Sequence, residues 1–376
     1  MPKAIIIPLF YYYLLLFASS WIQICNANYV NMMEKNLFVG MFVFGTSVVD
    51  NGNNNNINGS LAKANYLPYG IDFVFGPTGR FSNGQNVVDI IGDLLLLPLI
   101  PPFAAGPSNI LYGVNYGSGG SGILDDTGSI VNVVINLNQQ IRNFEEVTLL
   151  QLKSSLGGNL KEILGHYLFL IAEGNNDFEF NYLLQPISAR PSVQAFVANL
   201  TSTFETQLKR LYNLGARKFA ILTVYPIGCT PFIKSMAKSQ RCVQMVNKAA
   251  HYYNTQLINL LDQLKPNLPG FEFVVVNTYN IVRDIMKNPV IRGFRNVTSP
   301  CCELKEIMPG VGVSCKAGGT VCKDRSRYVF FDGQHNTEAV NAVIAAKAFA
   351  SNRKSEAYPF NLQRLAQLQI MSHSQL

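Results

Sequence analysis

The chain has 376 residues and a formal net charge of +7. That length exceeds the usual domain, yet α/β folds of about 200 to 300 residues commonly form one unit around one sheet, so a single domain is expected. The charge is modest for the length and comes without a basic run or an aromatic-basic alternation, which argues against a nucleic-acid partner. It leaves only a mild bias toward acidic polymers or anionic lipid surfaces.

At the amino end, Met1-Pro2-Lys3 precede an apolar stretch from Ala4 to about Ala18, followed by Cys25-Asn26-Ala27 with a small residue suited to signal peptidase. Residues 1–27 therefore read as a secretory signal, and residues 28–376 as one mature domain that is secreted and extracellular. The apolar stretch is shorter than the roughly 20 residues of a spanning helix, and no second candidate follows, so no stable membrane insertion is expected.

Five apolar, β-rich runs come next: Leu37 to Phe44, His166 to Ala172, Phe219 to Val224, Phe271 to Val276 and Tyr328 to Phe331. Most lack polar alternation, as strands buried on both faces do. Between them Val193 to Leu214 and Cys242 to Leu264 have helical periodicity and would serve as crossovers between parallel strands. The pattern is α/β. Asn51 to Asn58 is rich in asparagine and reads as a polar surface loop. The tail after about Lys354 loses its strand signals and is expected to be a surface or partly frayed helix.

With Cys25 inside the signal, six cysteines remain, an even set in an oxidising compartment, so disulfides are expected. Cys229 and Cys242 could close one local loop, while the pairing among Cys301, Cys302, Cys315 and Cys322 stays open. No Cys-x-x-Cys with matching histidines occurs, so no zinc site is expected. Asn58, Asn199 and Asn296 each head a glycosylation acceptor tripeptide.

Two short motifs carry the chemistry. Gly45-Thr46-Ser47-Val48-Val49-Asp50 follows the first apolar run and would expose the Ser47 hydroxyl on a tight strand-to-helix turn. Asp332-Gly333-Gln334-His335 closes the last run, and three residues of separation let the Asp332 carboxylate accept a bond from the His335 ring and fix its tautomer. Nucleophile, base and orienting acid are the groups acyl transfer needs. Oxyanion donors are available in Asn115-Tyr116-Gly117-Ser118-Gly119-Gly120, through a peptide N–H, and in Gly174-Asn175-Asn176-Asp177, through a side-chain amide. In open α/β sheets such groups gather at the carboxyl ends of the strands. The other histidines, His166, His251 and His373, have structural explanations in a strand, a helix and the tail.

These blocks, with Asn51-Gly52-Asn53-Asn54 and Gly79-Arg80-Phe81-Ser82-Asn83-Gly84 in the same order, make the chain resemble the plant GDSL esterase/lipase family of the SGNH hydrolases over nearly the whole mature length. The resemblance implies a three-layer αβα flavodoxin-like fold with a central parallel sheet. It also implies Ser47 as nucleophile, His335 as base, Asp332 orienting it, and Ser47, Gly119 and Asn176 forming the oxyanion hole, with no metal or organic cofactor. Thr46 departs from the pattern, where an aspartate usually braces the nucleophile loop, and so do Val48, Gln334 and Asn336. The expected activity is hydrolysis of carboxylic esters, with lipid or wall-polymer acyl esters as substrates. The alternatives are an acyltransferase on the same site and a binding protein whose turnover is weakened at Thr46. No motif specifies an oligomeric state.

Overall fold

The computed structural model describes residues 38–368. The secretory signal expected over residues 1–27 lies outside them. Strands β1 (Met41–Gly45), β2 (Leu168–Ala172), β3 (Lys218–Leu222) and β4 (Glu272–Val276) form a parallel sheet in that spatial order. Their registers are nearly level, with Met41 beside Leu168, Leu168 beside Lys218 and Lys218 beside Glu272. The carboxyl ends therefore line up along one edge.

Alternate side chains of these strands feed two cores, as a period of two requires. Phe42, Phe44, Phe169, Phe219 and Phe273 pack against helices Leu137–Asn143, Val193–Leu214 and Gln244–Asn267. Met41, Val43, Leu168, Leu170 and Val274 pack against helices Val87–Leu94, Thr278–Lys287, Glu338–Ala350 and Leu362–Gln367 on the opposite face. The result is the expected three-layer αβα arrangement, with the sheet buried on both sides.

Three assignments differ from the sequence reading. The run Tyr328 to Phe331 is not a strand of the main sheet: β8 (Tyr328–Phe330) pairs in parallel with β5 (Asn296–Pro300) in a separate two-stranded ladder. The fifth place in the main sheet goes to β9 (Ala357–Tyr358), antiparallel to β4, in the tail that lacked a strand signal. Two residues are too few to carry a period, and their pairing depends on the β4 edge they cover. The tail helix Leu362–Gln367 is not frayed either. Asn361 caps it by accepting from the Arg364 N–H at 2.9 Å, and Leu362, Leu365 and Ala366 are buried.

On the outer side of β1, a segment not read as a strand bonds alongside it. Met41 N–H donates to Tyr112 O at 2.9 Å and Val43 N–H to Val114 O at 3.0 Å, while Tyr116 N–H donates to Val43 O at 2.7 Å. β1 thus sits between two neighbours, which suits its continuous apolar sequence.

Disulfides join Cys229 to Cys242, Cys301 to Cys322 and Cys302 to Cys315. The last two close the base of the hairpin made by β6 (Leu304–Met308) and β7 (Val311–Cys315). Among the acceptor asparagines, Asn58 and Asn199 are exposed and Asn296 is half-buried at the start of β5. No helix of the described residues is long and apolar enough to cross a membrane.

Candidate active site

The strand ends deliver the site. Gly45 closes β1 with φ 151°, and a Cβ there would stand 2.6 Å from Ala172 O, so only glycine fits the turn that follows. Gln140 holds that glycine by both backbone groups, accepting from Gly45 N–H at 2.8 Å and donating to Gly45 O at 2.9 Å. Thr46 N–H donates to Ala172 O and Val49 N–H to Thr46 O, both at 3.1 Å, which closes the turn under Ser47.

Ser47 Oγ lies 2.7 Å from His335 Nε2, and His335 Nδ1 lies 2.7 Å from Asp332 Oδ2. Residues 288 positions apart in the chain thus meet in one hydrogen-bonded line. Asp332 is fully buried and saturated with donors: Gln334 N–H at 2.8 Å and His335 N–H at 2.6 Å reach Oδ1, and the Tyr69 hydroxyl donates to Oδ2 at 2.6 Å. Burial, and next the Asp332 charge, push the Tyr69 hydroxyl well above its ordinary range, so it stays a donor. Phe81 packs its ring 4.9 Å from the His335 ring. Ser47 and His335 keep small exposed fractions, 8% and 6%, which open onto a cavity of about 570 Å³.

Of the oxyanion candidates, Ser47 and Asn176 line this cavity, and Gly119 does not. The Ser47 amide makes no hydrogen bond to a described residue, and Asn176 donates one amide hydrogen to Ser121 O at 2.8 Å, which leaves the other. The Gly119 N–H donates to Asp50 Oδ2 at 3.0 Å. Its neighbour Gly120 lines the cavity, and the Gly120 amide has no partner among the described residues.

Only the second half of the asparagine-rich segment, where Asn56 and Asn58 are exposed, is a surface loop. Asn51, Asn53 and Asn54 are buried. Asn53 Nδ2 donates to Asn115 O at 2.9 Å and Gly117 O at 2.7 Å, and Asn54 Nδ2 donates to Gly119 O at 2.8 Å. Its composition looks like low complexity, but each amide satisfies backbone carbonyls that no sheet pairs. Sequence reasoning also missed Tyr69 and Glu179. Tyr69 reaches Asp332 across 263 positions, and no local pattern marks it.

Glu179 is buried beside the site. It accepts from Gln334 Nε2, while its Oε1 has no partner among the described residues. Burial, and next the nearby Asp332 charge, raise its carboxyl to about 8, so it is neutral at pH 7. A carboxyl that titrates at 4.5 when unfolded and about 8 when folded stabilises the native state fully below pH 4.5, and this contribution is lost as pH rises toward 8. Glu179→Gln is therefore expected to match the wild type near pH 4.5 and to be more stable at pH 8.5 by on the order of 1 to 3 kcal/mol. Denaturant midpoints at the two pH values test this, and a variant less stable at pH 8.5 would refute it.

A hydroxyl, an imidazole and a carboxylate in line at the strand ends of an αβα layer structure have the geometry that acyl transfer to a serine requires. The model of the GDSL-like lipase/acylhydrolase family matches residues 41–348, and the chain belongs to that family of carboxylic ester hydrolases. Among its relatives in Arabidopsis thaliana are the GDSL esterase/lipase At5g08460, 42% identical over 350 residues with 88% of each chain covered, and At1g71691, 42% identical over 338 residues with 87% of this chain and 85% of the relative covered. The GDSL esterase/lipase At1g29670 is 39% identical over 340 residues, covering 87% of this chain and 91% of its own.

Proposed function

We propose that the protein is a secreted serine hydrolase that cleaves lipid or wall-polymer acyl esters through an acyl-enzyme on Ser47. The observation that carries this reading is the 2.7 Å contact of Ser47 Oγ with a His335 ring whose other nitrogen is held by Asp332. His335 Nε2 takes the Ser47 proton as Oγ attacks the ester carbonyl, and the imidazolium then gives that proton to the departing alcohol. Water, deprotonated by the same nitrogen, releases the acid. Asp332 keeps Nδ1 protonated throughout, so Nε2 is always the basic face. The Ser47 amide, the free Asn176 hydrogen and the Gly119-Gly120 turn receive the oxyanion, with the unpartnered Gly120 amide available before that of Gly119, which Asp50 engages.

Apolar walls from Leu61, Phe81, Ile130, Phe180, Phe232 and Ile307 suit an acyl chain. The three disulfides are compatible with removal of residues 1–27 and export of residues 28–376 as one domain, and the exposed Asn58 and Asn199 and half-buried Asn296 are the proposed glycosylation positions. Labelling of the purified wild type by a fluorophosphonate probe tests the function, and an unlabelled, inactive protein would refute it.

Thr46 Oγ1 accepts from Val48 N–H at 3.4 Å, a long contact for bracing the nucleophile turn. A carboxylate at that position accepts more strongly. Thr46→Asp is expected to raise kcat about fivefold, the equivalent of ~1 kcal/mol. An unchanged kcat would show that the hydroxyl suffices.

A further inference from the structure

Asp50 stands three residues after Ser47 with its carboxylate fully buried. Oδ1 accepts from Gly52 N–H and Asn53 N–H, both at 2.7 Å, and Oδ2 accepts from Gly119 N–H at 3.0 Å. This one side chain therefore ties the nucleophile turn to the turn that carries Gly120 on the cavity wall. Its remaining surroundings are neutral. Asn115 Oδ1 accepts from Gly117 N–H, Asn54 holds Gly119 O, and the charged pair Arg80–Asp89 is reached through Asn51, which donates to Asp89 at 3.4 Å. Peptide dipoles, not a cation, hold the Asp50 charge.

We propose that ionised Asp50 is a positioning residue that sets the oxyanion hole, by pulling on Gly119 N–H and so fixing the adjacent Gly120 amide opposite Ser47. The inference rests on Ser47 being the nucleophile. When Asp50 is protonated, the charge that draws in these N–H groups is gone, the Gly119-Gly120 turn relaxes, and the oxyanion loses a donor while the Ser47–His335 contact stays. Burial raises the Asp50 carboxyl to about 6 against the opposing pull of the Gly52, Gly119, Asn53 and Asn54 amides, which places this change in mildly acidic solution.

A pair of substrates separates this role from support of the fold. An ester and its matching thionoester need the same nucleophile and base, but sulfur accepts hydrogen bonds poorly, so the ratio of their kcat values reports the oxyanion hole. Protonation of His335 slows both substrates alike and cancels in the ratio. For the wild type, the ester-to-thionoester ratio is expected to fall several-fold between pH 7.5 and pH 5, toward a ceiling of about tenfold set by the carboxyl still ionised at pH 5. For Asp50→Asn, whose amide must set a donor against Gly119 N–H or against Gly52 N–H and Asn53 N–H, the ratio is expected to be low and flat across that range, with KM nearly unchanged.

A wild-type ratio that does not move with pH would overturn the proposal, as would a folded Asp50→Asn with the wild-type ratio. If the variant does not fold, the wild-type pH series decides alone. Wild-type protein that turns over neither substrate would overturn the hydrolase reading and this inference with it, an outcome distinct from turnover at a constant ratio.

Discussion

Ser47→Ala is expected to lower ester hydrolysis by about 10⁴-fold or more and to abolish fluorophosphonate labelling. The size follows from what the substitution removes. In the proposed reaction the Oγ is both the attacking atom and the donor to His335 Nε2, at 2.7 Å, and among the described residues no second hydroxyl bonds to that nitrogen. Stability should change little, because Ser47 retains 8% exposure and its hydroxyl makes only that one hydrogen bond among the described residues. Binding of a product fatty acid in the cavity should survive, since its apolar walls are untouched. Hydrolysis persisting in the variant with labelling lost would mean that the probe and the ester use different groups. Hydrolysis and labelling both persisting would remove Ser47 from the reaction.

Much of this arrangement was legible in the sequence because its signals are local. β1 and β2 are wholly apolar, β3 and β4 are apolar after Lys218 and Glu272 at their starts, and each reads as a strand without its neighbours. The Asp332 to His335 spacing predicts a contact within one turn, and the contact is there. The illegible parts depend on distant partners. The segment bonding β1 through Tyr112 O and Val114 O is broken by Gly113, whose φ of 107° brings it close to Met41 O, so its composition reads as a loop. β9 is a strand only because β4 offers an open edge. Asn51, Asn53 and Asn54 look like solvated residues until the carbonyls they satisfy, Ile100 O for Asn51 and those of Asn115, Gly117 and Gly119 for the other two, are placed beside them. Tyr69 and Glu179 enter through the third dimension alone. Such residues surround the Ser47–His335–Asp332 line from distant parts of the chain, which explains why that line was readable and its surroundings were not.

That tuning sets the second large effect. Asp332→Asn is expected to reduce kcat by about 10⁴-fold, the cost of the wrong histidine tautomer in a triad, with little change in the thermal midpoint. Oδ1 of Asp332 accepts two backbone N–H groups, from Gln334 and His335, so the amide oxygen of the variant must take that place. Its Nδ2 then points at His335 Nδ1 and the Tyr69 hydroxyl. Nδ1 can pair with that donor only by giving up its hydrogen, which moves to Nε2 and faces Ser47. Ser47 then meets an N–H and finds no base. Tyr69→Phe provides the control, because it removes one donor to Oδ2 and leaves the His335 bond, so its loss should be about tenfold. The Tyr69 hydroxyl also accepts from Cys315 N–H at 3.1 Å, so this variant should lose more stability than Asp332→Asn. Equal rate losses in the two variants would mean that Asp332 acts through packing and not through the tautomer.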